Sequence, residues 1–468
     1  MAEDTFEQAT NAFQSWLAQV GARINPKASL VDLRAEGRGR GLVAVGGDVA
    51  EDEIIFSIPR TAILHLKNAF AHHGDHLDNI VSMENLQDMP NWLSLTIVLM
   101  IEVSHGNSIW QKYLAVLPQQ LDSLVFWSPR ELEDLQASAV IDKIGRADAE
   151  EQFRSRVLPL NIPGVSLDLF HKMASIIMAY AFDIPEDDPE EIEDNDEELI
   201  PDDDEEQTVL TMIPMADMLN ADADRNNARL LCDHEDLEMR AIKHIKMGEE
   251  IFNDYGQLPS SDLLRRYGYI TEKYAPYDVV EMSTISMVSA LNNGLILDQH
   301  SKPFSQLRSQ ELTERLDLAK REDRYEDSYD IAHADSDQPS IPDELVALMY
   351  LLLVDEESIS SLQRSETSLP SRSKLATAEV GNILGQLLKR REKEYSTSLE
   401  EDDDILRAGD SSHRKIMAVK VRRGEKQLLR AANLEASTFQ GDNKRMRNKS
   451  KRERQVEVAR PQKRSRHR

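Results

Sequence analysis

Apolar residues recur at helical spacing from the start of the chain. Phe6, Ala9, Phe13, Trp16, Leu17 and Val20 share one face and Gly21 ends the run, which predicts a helix over residues 3–20 packed against a core. The period then shortens. Leu30-Val-Asp-Leu, Leu42-Val-Ala-Val and Glu53-Ile-Ile-Phe-Ser-Ile-Pro59 read as short strands, the last halted by its proline. Residues 61–182 return to helical patterning. Trp92-Leu-Ser-Leu-Thr-Ile-Val-Leu-Met-Ile-Glu and Leu169-Phe-His-Lys-Met-Ala-Ser-Ile-Ile-Met-Ala-Tyr180 are apolar enough to be buried helices.

Residues 211–270 follow neither period. Ile213-Pro-Met-Ala-Asp217-Met-Leu-Asn220 is a buried apolar run ending on an amide. Gly248-Glu-Glu-Ile-Phe-Asn253-Asp-Tyr255-Gly256 reads as a tight turn feeding a short strand, and Arg266-Tyr267-Gly268-Tyr269 follows. Glycine after tyrosine lets the backbone turn sharply or lets something approach closely. Helical composition resumes from about residue 283 to 432, with breaks at 322–338 and 365–373.

Composition narrows the class. The 468 residues suit two or three domains, and 40% hydrophobic with 30% charged residues suits a soluble chain with a sizeable core. Cys232 is the single cysteine, which excludes an internal disulfide and a Cys-based zinc site. No charged-then-apolar leader and no run of membrane-spanning length is present, so an intracellular protein is expected.

The net charge of −29 is uneven: residues 183–206 hold sixteen Asp or Glu and no Lys or Arg, whereas residues 444–468 hold twelve Lys or Arg against two Glu. The acidic stretch buries too little apolar surface to order itself and is expected to be a disordered loop. An acidic body favours basic partners and repels nucleic acid. The tail reads as a nuclear import signal, which puts the protein in the nucleus, with the cytoplasm as a second location. Without interleaved aromatics, nucleic acid is expected to be touched only through that tail, if at all.

Several chemistries are absent. There is no His-Glu-x-x-His, no Walker loop and no Gly-x-Ser-x-Gly. His72-His-Gly-Asp-His76 reads as a solvated turn, and no metal site is expected. Gly37-Arg-Gly-Arg-Gly41 is not a dinucleotide fingerprint, because no helix signal follows it.

Pro214-Met-Ala-Asp-Met-Leu-Asn220, Gly248-Glu-Glu-Ile-Phe-Asn-Asp-Tyr-Gly256 and Tyr267-Gly268, in that order, resemble the C-terminal half of the SET-domain protein lysine methyltransferases. The branch is that of Rubisco large-subunit methyltransferase and the ribosomal lysine methyltransferases. The likeness extends over roughly residues 10–290 and, less closely, 400–435. It implies an α+β chain with an N-terminal helix (1–22) and a SET domain (23–270) of small β-sheets around a knot-like crossing. A helical insert (about 65–182) and the acidic loop (about 183–206) split that domain. An all-α substrate-binding domain (280–435) and a disordered basic tail (436–468) complete the chain.

The same resemblance implies a protein-lysine N-methyltransferase that uses S-adenosyl-L-methionine and acts on a basic protein, with a ribosomal protein as the expected substrate. Tyr255 takes the catalytic position. Arg38, Gly39, Arg40, Asn220, Ala221 and Tyr267 take cofactor positions, and Trp92, Tyr180 and Asp217 border the lysine. The family has Asn-His where this chain has Asn220-Ala221, so any contribution of that histidine's side chain is lost. The alternative is a non-catalytic acidic SET scaffold that escorts basic ribosomal or chromatin proteins. Intact Tyr255, Tyr267 and Asn220 argue against it.

Overall fold

The computed structural model describes residues 5–186, 208–233, 235–297, 303, 307–334, 338–364 and 369–441. The chain divides into two units, one of Met1–Trp127, Asp142–Leu258 and Asp262–Tyr274, the other of Ser128–Ile141, Pro259–Ser261 and Ala275–Arg468. Residues 128–141 therefore belong with the C-terminal part of the sequence, although they fall inside the expected insert.

In the first unit, the helix Thr5–Gln19 buries Phe13, Trp16 and Leu17, the face that its spacing predicts. These side chains join the same core as the strands, so the helix is part of this unit rather than a separate element. The strands are short and antiparallel. β1 (Arg23–Ile24), β4 (Ile54–Pro59), β8 (Asp236–Ala241) and β7 (Ala228–Cys232) form one sheet in that order. β2 (Ala28–Asp32), β3 (Arg40–Ala44) and β9 (Glu250–Ile251) form a second. Alternation is clean where one face is buried: Leu237, Met239 and Ala241 of β8 point into the core, and the residues between them do not.

A parallel bridge joins Ala221 to Asn253, and Asn253 N–H donates to the Asn220 carbonyl at 2.9 Å. This is where the two motifs of residues 211–270 meet.

The insert is built on two buried helices. Asn91–Ser104 has every position from Leu93 to Glu102 buried, and Leu167–Tyr180 is capped by Ser166, whose hydroxyl accepts from the Leu169 N–H at 3.2 Å. The second helix hands Tyr180 directly to β5 (Ala181–Pro185), which pairs with β6 (Thr208–Met212). Residues 183–185, expected to be disordered, are thus strand: Ile184 is buried and the ladder satisfies their backbone. The rest of the acidic loop lies outside the described residues, except for Glu186.

The histidine run is solvated only in part, with His72 exposed and His73 half-buried. It ends the helix Leu66–His73, where His73 Nε2 lies 2.8 Å from the buried carboxylate of Glu102 and His72 meets the edge of the Trp110 ring.

The second unit is helical but carries one two-stranded ladder, β10 (Val279–Ser283) with β11 (Ser328–Ala332). Its long helix His413–Ser437 holds two buried cations, Arg422 and Lys426, against Asp402 at 2.8 and 2.6 Å. Phe439 is also buried, so the ordered chain runs past residue 436 into the expected tail, whose remainder from residue 442 lies outside the described residues.

Candidate active site

Six tyrosines and one carboxyl gather in the first unit. Tyr255 follows β9, and its ring stacks on that of Tyr267 with centroids 4.7 Å apart and planes 7° from parallel. Tyr267 in turn meets Tyr269 nearly edge-on at 6.3 Å. The stack needs Gly268, which has φ +76°, and a Cβ there would stand 2.5 Å from the Asp122 backbone. The Tyr255 hydroxyl donates to the Leu219 carbonyl at 3.3 Å, which ties this ring to the Asp217–Asn220 segment.

Asp217 sits in a single helical turn, Ala216–Met218, entered through Met215 at φ +79°. A non-glycine residue holds such a positive φ only when its surroundings enforce it. Asp217 is buried. One carboxyl oxygen accepts from the Tyr113 hydroxyl, and the other, Oδ1, has no hydrogen-bond partner among the described residues. Burial pushes the carboxyl up to about 8, against the opposing effect of the Tyr113 hydrogen bond. Tyr113 is itself fixed by Trp16, whose ring lies 6.3 Å away and 12° from parallel.

Burial also governs the phenols. Tyr180 and Tyr267 are each pushed up to about 12 by desolvation, and the Asp217 charge adds to the effect at Tyr180. Tyr255 is held well above the ordinary range, again by burial first and then by Tyr267, Tyr180, Tyr269 and Asp217. Tyr269 and Tyr274 shift the same way for the same first reason. All these hydroxyls stay protonated at neutral pH, so the site presents neutral donors rather than bases.

A polar couple lies beside this group. Asn220 donates its amide N–H groups to Glu250 Oε1 at 2.7 Å and to the Arg40 carbonyl at 3.3 Å. Arg38 reaches the other Glu250 oxygen at 2.5 Å. A Cβ on Gly39 would meet nothing within 4 Å, so the side of this residue where a side chain would stand is open, while its carbonyl accepts from the Leu33 N–H at 2.9 Å.

Arg40 takes part through its main chain alone. Its guanidinium turns away, stacks over Phe6 at 3.8 Å, and bonds Thr10 Oγ1, the Phe6 carbonyl and the Val116 carbonyl. Ala221 contributes the backbone of its bridge to Asn253.

Trp92 does not join the group. Its ring packs on Phe170 at 6.2 Å, ten residues or about 15 Å along the helix from Tyr180. Aromatic content in the insert thus marked packing at that position.

Tyr113 and Glu250 belong to the site without having been singled out. Glu250 lay inside the quoted Gly-Glu-Glu motif. Tyr113 carried no local signal, since it meets Asp217 across 104 positions of sequence.

A raised carboxyl has a measurable consequence. Asp217 binds its proton more tightly folded than unfolded, so its contribution to stability is complete below about pH 4 and is lost as pH rises to about 8. Asp217→Asn is expected to flatten that part of the melting-temperature profile and to melt above wild type at pH 8. Equal slopes for the two proteins between pH 5 and 8 would contradict the burial of an uncompensated carboxyl.

The SET domain family model matches residues 39–256, and the Rubisco LSMT substrate-binding model matches residues 304–429. Ribosomal lysine N-methyltransferase 4 of Saccharomyces cerevisiae is 32% identical over 305 residues, which is 62% of this chain and 60% of its own length. N-lysine methyltransferase setd6 of Xenopus laevis is 31% identical over 297 residues, 59% of this chain and 60% of its own. The chain thus spans 60% of the length of these curated relatives.

The solved SET domain of LSMT bound to methyllysine and AdoHcy matches with a TM-score of 0.64 over 97% of both chains, at 18% identity, a likeness of fold. Both family models fall where the two units carry their cores, and the motif residues meet at one place. Residues 39–256 thus match the SET domain family model and residues 304–429 the Rubisco LSMT substrate-binding model, and the chain is similar over 59–62% of its length to these two named lysine methyltransferases.

Proposed function

We propose that the protein is an S-adenosyl-L-methionine-dependent protein-lysine N-methyltransferase whose substrate is a lysine of a ribosomal protein. The observation that carries this reading is the neutral Tyr255 hydroxyl, buried on the Tyr267 ring and next to Asp217 and Tyr180.

The residues present suit the methyl donor. Open space at Gly39 admits main-chain contact, the Asn220 amide oxygen accepts from an ammonium, and Arg38 offers a guanidinium to a carboxylate. S-adenosylmethionine, when bound, supplies a methyl group on a positively charged sulfur. A lysine must arrive there as the free amine, which costs about 4.6 kcal/mol at pH 7 from a reference pKa near 10.4. Walls of buried phenols lower that cost by disfavouring the ammonium. The Tyr255 hydroxyl orients the amine, and because it keeps its proton it does not take one from the lysine. Alignment of this kind supplies on the order of 7–11 kcal/mol in favourable cases.

Two features support a ribosomal substrate. One is the identity with a yeast protein named for ribosomal lysine methylation, and the other is a net charge of −29 that attracts basic proteins. Residues matching the substrate-binding model, 304–429, are the proposed means of engaging the folded target. The basic tail is the proposed import signal.

Labelled S-adenosylmethionine incubated with a ribosomal protein extract should yield a labelled band. Tyr255→Phe should weaken it by about 10²–10³ in rate, as loss of a positioned hydrogen-bonding group does. A wild-type protein that neither labels the extract nor binds the donor would overturn the reading. A fluorescent fusion lacking residues 442–468 should leave the nucleus; unchanged nuclear signal would refute the role of the tail.

A further inference from the structure

We propose that Glu250 is a positioning residue: it fixes which way the Asn220 amide faces, and thereby sets affinity for the methyl donor. This rests on the function proposed above.

The argument is one of hydrogen-bond supply. Glu250 pairs with Val43 across β3 and β9, and its side chain is only 11% exposed. Its carboxylate has acceptors and no donor, so the Asn220 group that faces it at 2.7 Å must be the NH₂. The Arg40 carbonyl at 3.3 Å makes the same demand on the second amide hydrogen. Flipping the amide would set oxygen against oxygen at both contacts. The Asn220 oxygen is therefore presented on the other side, where it has no hydrogen bond among the described residues. An amide oxygen held in that way accepts from a cationic ammonium, the group at the amino-acid end of S-adenosylmethionine.

Two further details belong to the same device. Arg38 holds the second Glu250 oxygen at 2.5 Å and is itself braced by Glu36 at 2.5 Å, so the carboxylate cannot swing away from Asn220 without breaking an ion pair. The third glycine of the turn makes room for the contact. A Cβ at Gly41 would stand 2.8 Å from Glu250 Oε1, 3.0 Å from Asn220 Nδ2 and 2.5 Å from Leu33 Cδ1. That glycine is explained by the crowding of Leu33, Glu250 and Asn220 around it rather than by a turn, since its φ is not positive.

The test is Glu250→Gln, which keeps the shape and removes the constraint, because a glutamine amide can face Asn220 with either of its ends. S-adenosylhomocysteine titrated calorimetrically into the full chain should bind about tenfold more weakly, about 1.4 kcal/mol. In methyl transfer, KM for S-adenosylmethionine should rise in parallel while kcat at saturation changes less than about twofold. The melting temperature of the unliganded variant should match wild type, and Glu250→Asp, which retains the acceptor, should recover part of the affinity.

Wild-type affinity in Glu250→Gln would overturn the inference. So would a loss of affinity accompanied by a lower melting temperature and a matching fall in kcat, which is the signature of a structural role. If wild type itself binds no S-adenosylhomocysteine, the methyltransferase reading fails, and this inference fails with it.

Discussion

Desolvation is the interaction on which the site depends. A carboxyl and a set of phenols are buried together, so that each is costly to charge, and the Asp217 charge adds to that cost at Tyr180 and Tyr255. Among the described residues no cation pairs with Asp217, and its one side-chain hydrogen bond comes from a phenol, Tyr113. A site built in this way holds its groups neutral, and neutral groups are what a reaction needs when its nucleophile is an amine that must shed a proton. The insert supplies part of that burial. Tyr113 and Tyr180 come from it, and Tyr113 is steadied by Phe13 and Trp16 of the first helix.

The polar couple beside the phenols follows the opposite rule. Arg38 and Glu250 are charged, partly exposed and paired, and their use is geometric rather than energetic. Between them they fix one side-chain amide, that of Asn220, while the main-chain carbonyl of the same residue receives the Asn253 N–H of the neighbouring segment. Three short strands and one parallel bridge thus set the relative placement of a turn, an amide and a tyrosine that lie far apart in sequence. Arg40 serves the same end from outside, since its guanidinium ties the turn to the first helix while its carbonyl faces Asn220.

Much of this was legible where the signal is local. The spacing of Phe13, Trp16 and Leu17 gave the buried face of the first helix, and the glycine of Tyr267-Gly268 marked a close backbone approach that the Asp122 contact explains. The motif tyrosines meet because their motifs border the same bridge. Long-range partners were not legible. Nothing near Tyr113 announces Asp217, and nothing near Glu250 announces Arg38, because pairing across a fold leaves no periodic trace. Trp92, which the resemblance sets beside the lysine, packs on Phe170, a partner that its own stretch of sequence does not announce. The β10–β11 ladder was missed because only Tyr329 and Ile331 alternate inward in an otherwise polar stretch, too short a period-two run to read.

The central claim is that Tyr255 works as a protonated, orienting hydroxyl, and the most direct measurement is its own titration. With tyrosines labelled with ¹³C at the ring carbon bearing oxygen, carbon NMR of wild type and Tyr255→Phe identifies the Tyr255 resonance by its absence from the variant. The account predicts that this resonance keeps the chemical shift of the neutral phenol beyond the ordinary tyrosine pKa of about 10. A Tyr255 resonance that moves to the phenolate position near pH 8 would contradict it, and would make the residue a base rather than a guide.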